Sequence, residues 1–378
     1  MHILLFGNCI TAACRQRRNN ARYDSPAGRR KVLLLSEYLV QLGHSVEIVS
    51  PSYAKLTDPE FVENVSPGVT VRHAPTRAFW GLALGRRERA AQYNSQIVRT
   101  RAERPDTLVI TYNYHREFAT ALLCAARECG LKTVLEYEDG LFLQPDWQQP
   151  AALNFERSVY AATSVFLVVN RGLEARVQQV LGKSPPCLLL QGLPDLSLLK
   201  SHAARPPPGN QRLLFTGNFG RDQGFGQLCE WVEHLPDAME LDICGRGSDP
   251  EIRELGRLLA TRKNIRFRGF LPEGKVQELK DQADACLLLN NRQSPLHHTQ
   301  FPSKFFDYLS HNQRVISAPD ERLDPFRKLS QLVCVEDFPR GLKKLPELLR
   351  AAPLPDPRDG LILGDDLRRQ LGRFMEQL

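Results

Sequence analysis

Short apolar runs alternate with helical stretches along this chain, and the alternation stops and restarts once. In the first half, His2–Phe6, Val46–Val49, Thr107–Thr111, Thr133–Tyr137 and Val165–Val169 read as buried strands. Arg29–Leu42 reads as a helix stopped at Gly43. Arg205-Pro-Pro-Pro-Gly-Asn210 then breaks strand and helix alike and reads as a stiff polar linker. Beyond it Leu213–Thr216, Glu240–Cys244, Ile265–Phe267, Ala285–Leu289 and Arg314–Ser317 repeat the strand pattern, with helices between most of them. Strands alternating with helices call for a parallel sheet covered on both faces. A chain of 378 residues is long enough for two such sheets. The expectation is therefore an α/β chain of two Rossmann-like domains facing one another across a cleft. Residues 1–195 would form one and 212–350 the other, with a linker over 196–211. Residues 351–378, a tail of helix formers and Pro-rich breaks, would cross back to the first domain.

Composition removes several function classes. With 42% hydrophobic and 25% charged residues the chain falls in the soluble globular range, and no apolar run approaches the roughly 18–20 residues of a membrane span. Met-His-Ile-Leu-Leu-Phe-Gly reads as a first strand rather than a signal peptide. Nine scattered cysteines without a Cys-x-x-Cys pair point to reduced thiols in a cytoplasmic protein, not to zinc or a disulfide framework. Residues 1–200 hold 24 Lys and Arg against 18 Asp and Glu, whereas the rest holds 26 against 25. The basic first half either meets an anionic partner, such as the inner face of the cell membrane or a phosphorylated acceptor, or is a solvated face. Residues 78–90, with Arg15, Arg17, Arg18 and Arg22, either dock an anionic bilayer or form a loop and an ordinary core helix. Nothing interleaves basic and aromatic residues as nucleic-acid modules do, so no nucleic acid is expected.

Ligands of open α/β sheets bind outside the carboxyl ends of the strands. After Leu213–Thr216 comes Gly217-Asn-Phe-Gly-Arg-Asp-Gln-Gly-Phe-Gly226, whose glycines let backbone amides approach a phosphate, with Arg221 as a charge. After Glu240–Cys244 comes Gly245-Arg-Gly-Ser-Asp-Pro250, where Ser248 or Asp249 would cap a helix beginning near Pro250. In Phe301-Pro-Ser-Lys-Phe-Phe-Asp-Tyr-Leu309, Pro302, Ser303 and Lys304 open a helix that would attract an anion. Asp307 falls one turn on, on the face of Lys304, where it can accept from hydroxyls; an ordinary solvated cap is the alternative. In the first half, Thr111-Tyr-Asn-Tyr-His115 and Glu136-Tyr-Glu-Asp-Gly140 follow successive strands. Carboxylates packed so closely must be solvated, paired or functional.

In order and spacing these blocks resemble the family 4 retaining glycosyltransferases of the GT-B fold, the group 1 glycosyl transferases of bacterial polysaccharide and glycoconjugate synthesis. The resemblance spans nearly the whole chain and is strongest in its second half. It implies a nucleoside diphosphate sugar donor held by the second domain, a glycan or lipid-linked acceptor held by the first, and no metal or other cofactor. Gly217, Asn218, Phe219, Gly220, Gly245, Gly247, Pro302, Ser303 and Lys304 would bind the donor, with Asp307 on its ribose. Asp139, Glu138, Lys304 and Arg221 would act in the transfer, and Gly28, Asn113 and His115 would lie on the acceptor side. Two departures stand out. Asn218 and Gln223 occupy positions where many members carry Arg and Lys, and Thr299 stands where many carry a sugar-contacting glutamate. An epimerase or phosphorylase of the same fold, or a non-catalytic nucleotide-sugar or glycan binding protein, are the alternatives.

Overall fold

The computed structural model describes residues 1–18, 26–51, 59–75, 83–104, 106–144, 148–201, 211–220 and 224–378. They form two compact units, one of Met1–Leu193, His298–Gln300 and Leu367–Leu378, the other of Pro194–His297 and Phe301–Asp366.

The first unit carries strands β1 (His2–Phe6), β2 (Ser45–Ser50), β3 (Phe61–Ser66), β4 (Val69–His73), β5 (Thr107–Tyr112), β6 (Lys132–Tyr137), β7 (Val165–Val168) and β8 (Cys187–Leu189). They form one sheet in the order β3-β4-β2-β1-β5-β6-β7-β8, parallel throughout except for the antiparallel β3–β4 pair. Leaving aside that edge strand, the order is the doubly wound one, and it reverses between β1 and β5. β1, β5 and β7 are buried on both faces, as helices on either side of a parallel sheet require. β3, β4 and β8 do not stand out in the sequence, because β3 lies half-exposed on the edge, β4 alternates Val with Thr and Arg, and β8 is only three residues long.

The second unit carries β9 (Arg212–Asn218), β10 (Glu240–Arg246), β11 (Ile265–Gly269), β12 (Ala285–Leu288), β13 (Arg314–Ser317) and β14 (Leu332–Cys334). Their order is β11-β10-β9-β12-β13-β14, and every pair is parallel. Counted from β9 this is 3-2-1-4-5-6, the Rossmann order, with its reversal between β9 and β12. Trp231, Leu228 and Val232 of the helix Phe225–His234 pack with Leu213, Phe215, Leu241 and Ile243 to form the core.

Part of the expected linker is folded. Leu196–Ser201 is a helix, started by Asp195, whose Oδ1 accepts from Ser197 N at 3.0 Å and Leu198 N at 3.1 Å. Arg205–Asn210 lies outside the described residues. At the other end the helix Pro357–Met375 reaches the first unit: a Cβ on Gly372 would stand 3.1 Å from Leu42, and Arg368 donates to Gln41 Oε1 at 3.2 Å. None of the nine cysteines is in a disulfide. No helix among the described residues is long and apolar enough to cross a membrane. Arg18 leaves the expected basic face, since it is buried and donates to Pro59 O and Ala74 O. Arg22 and residues 78–82 of the basic–apolar stretch lie outside the described residues.

Candidate functional site

The polar residues picked out in the sequence gather at the carboxyl ends of both sheets, around the two points where strand order reverses. In the second unit the helix Lys304–Ser310 is rooted by aromatic side chains. Phe301, Phe305 and Phe306 pack around Phe326, with Phe305 and Phe326 centroids 4.9 Å apart. Tyr308 is buried, with its hydroxyl 3.0 Å from Thr216 Oγ1 on β9. These anchors bring Lys304 against β9. Its Nζ lies 5.2 Å from the Phe215 ring centroid, and a Cβ on Gly217 would stand 2.0 Å from that Nζ. Only glycine admits the lysine tip there.

Gly217 is packed from its other side too. It pairs with Gly245 in register, and a Cβ on Gly245 would stand 1.7 Å from Gly217 O. Beyond them Phe219 N donates to Arg246 O at 2.8 Å, and Arg246 Nε donates to Asn218 Oδ1 at 3.3 Å. Gly247 lies where a Cβ would come within 2.9 Å of Phe219 Cβ. Ser248 starts the helix Asp249–Leu259 through a capping box, with Glu251 Oε2 accepting from Ser248 N at 2.8 Å.

Several donor assignments change in this light. Phe219 is 1% exposed and stacks near Phe215, Phe225 and Phe267, so its side chain belongs to the core and only its backbone faces the loop. Ser303 occupies the cap position but makes no side-chain cap bond, and the helix it precedes has seven residues. So short a helix offers little dipole, which leaves the anion attraction to Lys304 itself. Lys304 makes no hydrogen bond or ion pair with any described residue. Burial lowers its ammonium to about 8; Asp307 opposes that shift and Lys280 adds to it. Asp307 is engaged by Lys280, whose Nζ lies 2.6 Å from Oδ2. Pro302 is half-buried at the start of the turn, and its carbonyl accepts from Phe305 N at 2.9 Å. Gly220 closes the described part of the first loop, while Arg221 and Gln223 lie outside the described residues.

In the first unit the ends of β5 and β6 are tied by Asn113, a residue in the left-handed region at φ 57°. Its Oδ1 accepts from Glu138 N at 2.8 Å and Asp139 N at 3.0 Å, and its Nδ2 donates to Asp139 Oδ2 at 2.9 Å. Gln300 Nε2 donates to Asp139 Oδ1 at 3.2 Å, so neutral amides hold both carboxylate oxygens. Burial and the neighbouring Glu138 charge raise the Asp139 pKa, against the pull of His115, Gln300 and Asn113. Asn113 is fully buried and therefore places Asp139 rather than presenting itself to an acceptor. His115 stands at the N-cap of the helix Arg116–Arg127 without a side-chain cap bond, near enough to Asp139 to act on its charge.

Lys31 joins this group from the helix Pro26–Gln41. Its Nζ lies 2.6 Å from Glu138 Oε1 and 3.3 Å from Glu136 Oε1, and Tyr112 donates to Glu138 Oε2 at 3.0 Å. Burial first, then the Glu138 charge, pushes the Glu136 carboxyl well above its usual range. Burial alone would lower Lys31, but the two glutamates outweigh it and raise its pKa. Gly28, expected ahead of the helix, is instead a buried residue of its first turn. Thr299 is 4% exposed and lies on Gly140, where a Cβ would come within 2.7 Å of its hydroxyl oxygen.

Lys280, Gln300 and Lys31 escaped the sequence reading. The basic run Arg29-Arg30-Lys31 was a signal for Lys31, and Gln300 adjoins the Phe301 block. Lys280 had none. Among the described residues one group, His297, Asp320 and Glu321, has the spacing of metal ligands. Arg322 already bonds both oxygens of Asp320, at 3.0 Å and 2.7 Å, and no metal role follows from the grouping.

Residues 27–189 match the model of the glycosyl transferase 4-like domain. No curated protein sequence matches the chain. Among solved structures, sucrose-phosphate synthase from Thermosynechococcus elongatus is similar over 100% of this chain and 98% of its own, with 15% identity and a TM-score of 0.65. Anabaena HepE, solved in complex with UDP, is similar over the whole of both chains, with 12% identity and a TM-score of 0.62. AviGT4, a glycosyltransferase of avilamycin A biosynthesis, matches over 99% of this chain and 97% of its own, with 11% identity and a TM-score of 0.59. With two doubly wound sheets, the chain shares the GT-B fold of these glycosyltransferases, and its first unit carries a glycosyl transferase 4-like domain over residues 27–189.

Proposed function

We propose that the chain is a retaining, metal-independent glycosyltransferase that moves a sugar from a nucleoside diphosphate sugar to a hydroxyl of a bacterial glycan or lipid-linked acceptor. Lys304 carries the reading. Its partly buried ammonium lies against the glycine backbone at the end of β9 and has no ion pair among the described residues. A buried charge without a partner is costly, and an incoming diphosphate relieves that cost. The amides of Gly217, Asn218 and Gly220 suit the same anion.

In the transfer, the bond from the sugar's anomeric carbon to the diphosphate oxygen breaks. The acceptor oxygen bonds to that carbon on the same face, and its proton passes to the departing phosphate. Charge builds on the diphosphate, and fixed donors aimed at it supply the stabilisation. Lys304 fills that role without a cation. In the first unit Asp139, held by two neutral amides, is assigned to the sugar undergoing transfer, with Glu138 beside it. UDP is the first probe, because HepE was solved with UDP and an Escherichia coli trehalose-6-phosphate structure with UDP-2-fluoro glucose. Work at the cytoplasmic face of a membrane belongs to the same proposal and is supported by the basic excess of residues 1–200.

Lys304→Ala tests the reading. Release of nucleoside diphosphate from a panel of donors should fall about a hundredfold in the variant, with a melting temperature that does not fall. Unchanged turnover would remove Lys304 from the site. Activity that survives chelation, and a product whose anomeric configuration by NMR matches the donor, are the results expected for the metal-independent, retaining course.

A further inference from the structure

Lys304 and Asp307 lie one helical turn apart on the same face, a spacing at which opposite charges ordinarily pair. Here they do not. Asp307 turns to Lys280, on the helix Glu273–Gln282, whose Nζ lies 2.6 Å from Oδ2. Lys280 is 7% exposed, and its carbonyl accepts from Gln313 Nε2 at 2.6 Å, which fixes the helix end that carries it. On the other carboxylate oxygen, His311 Nε2 stands 3.8 Å from Asp307 Oδ1, and Gln277 Nε2 meets the opposite ring nitrogen at 3.0 Å. Asp307 keeps 22% of its side-chain surface exposed.

We infer that Lys280 is a positioning residue of the donor site: by pairing with Asp307 it aims that carboxylate at the donor ribose and keeps Lys304 available for the diphosphate. The inference rests on the donor reading above and goes one step further. A buried ammonium holds its counter-ion firmly, because leaving either charge unpaired costs far more than an exposed pair gains. A carboxylate has about four acceptor sites, and the part of Asp307 that stays exposed is where the two ribose hydroxyls can reach it while Lys280 holds Oδ2. Without Lys280, Asp307 has a cation one turn away in Lys304. The pair would close, the carboxylate would leave the ribose, and the charge meant for the phosphates would be spent within the helix.

Calorimetry with UDP and 2′,3′-dideoxy-UDP separates these roles. The wild-type protein should bind UDP about thirtyfold more tightly than the dideoxy analogue, as expected for hydroxyls met by a charged acceptor. In Lys280→Met that ratio should fall to about two or three, with both affinities reduced. Lys280→Arg should restore most of the ratio, which a general loss of packing would not allow. A Lys280→Met protein that keeps the wild-type ratio overturns the inference. If that variant does not fold, Asp307→Asn and Asp307→Asn with Lys280→Met decide. Lys280 acts through Asp307, so the two should discriminate equally, and a further loss in the double variant overturns the inference. A wild-type protein that binds neither nucleotide overturns the donor reading itself, and this one with it.

Discussion

The two units share a strand order but carry opposite chemistry at their strand ends. In the second, Lys304 lies against the Gly217 backbone, Arg246 bonds Asn218 beside it, and the Asp307 carboxylate is paired with Lys280. In the first, Glu136 and Glu138 share Lys31, and neutral amides hold Asp139 beside them. The scaffold places both groups where ligands of such sheets bind, and side chains alone set the charge of each. An electropositive, glycine-lined end suits a diphosphate. An end rich in carboxylates and amides suits a sugar's hydroxyls, which donate to the one and exchange hydrogen bonds with the other. This contrast supports the division of labour proposed between the units.

Gly217→Ala probes the cationic end most sharply. The new methyl would stand 2.0 Å from Lys304 Nζ, the far end of a flexible side chain, so the lysine moves, while the φ of 158° at this glycine adds backbone strain that lowers the melting temperature slightly. Displacing the amine by about 1 Å should weaken donor binding about thirtyfold. Lost stability with unchanged donor affinity would mean the glycine serves packing alone. Asp139→Asn probes the other end. Turnover should fall about tenfold while the dissociation constant for UDP stays within about twofold, since the amide keeps the shape and loses the charge. A shift in UDP affinity as large as that of Gly217→Ala would erase the contrast between the units.

How far the sequence could be read follows from where each residue's partners lie. β9 and its glycines, β10 and its turn, and the Phe301 block are each contiguous, so both the strand and the residues at its end were legible. The fold class was legible because buried parallel strands such as β7 and β12 are unbroken apolar runs. Roles that depend on tertiary partners were not legible. Asn113 looked like a ligand contact, but its amide is consumed by Glu138 N, Asp139 N and the Asp139 carboxylate, which follow β6 about twenty-five residues on. Phe219 looked like a loop residue because glycines flank it, yet its ring fills the core under β9 and β11. Thr299 looked like a missing carboxylate; its position on Gly140 identifies it as a close-packed side chain in the first unit. Lys280 sat in a helix of ordinary polar composition, and only the fold brings it to Asp307.

The smallest expected effect is on pH, and it too separates the units. Burial holds the folded Lys304 ammonium at about 8, below its ordinary 10.5. A diphosphate binds the protonated form, so donor affinity is full below that value and fades as pH rises through it. Between pH 7 and 8.5 the protonated fraction falls about fourfold, and UDP affinity should fall with it. Stability runs the other way. From about 8 to 10.5 the unfolded chain keeps a proton that folded Lys304 has released, so the ligand-free protein gains stability as pH rises across that window. Tyrosines and cysteines also titrate at high pH, and the difference between wild type and Lys304→Met isolates the lysine. Asp139 shifts in the opposite sense, upward from the usual carboxylate range, so its titration belongs to the acid limb of turnover. The alkaline fall in UDP affinity should therefore be unchanged in Asp139→Asn and absent in Lys304→Met. An alkaline limb that disappears in Asp139→Asn would place the titrating group in the first unit and undo the assignment of charge to the second.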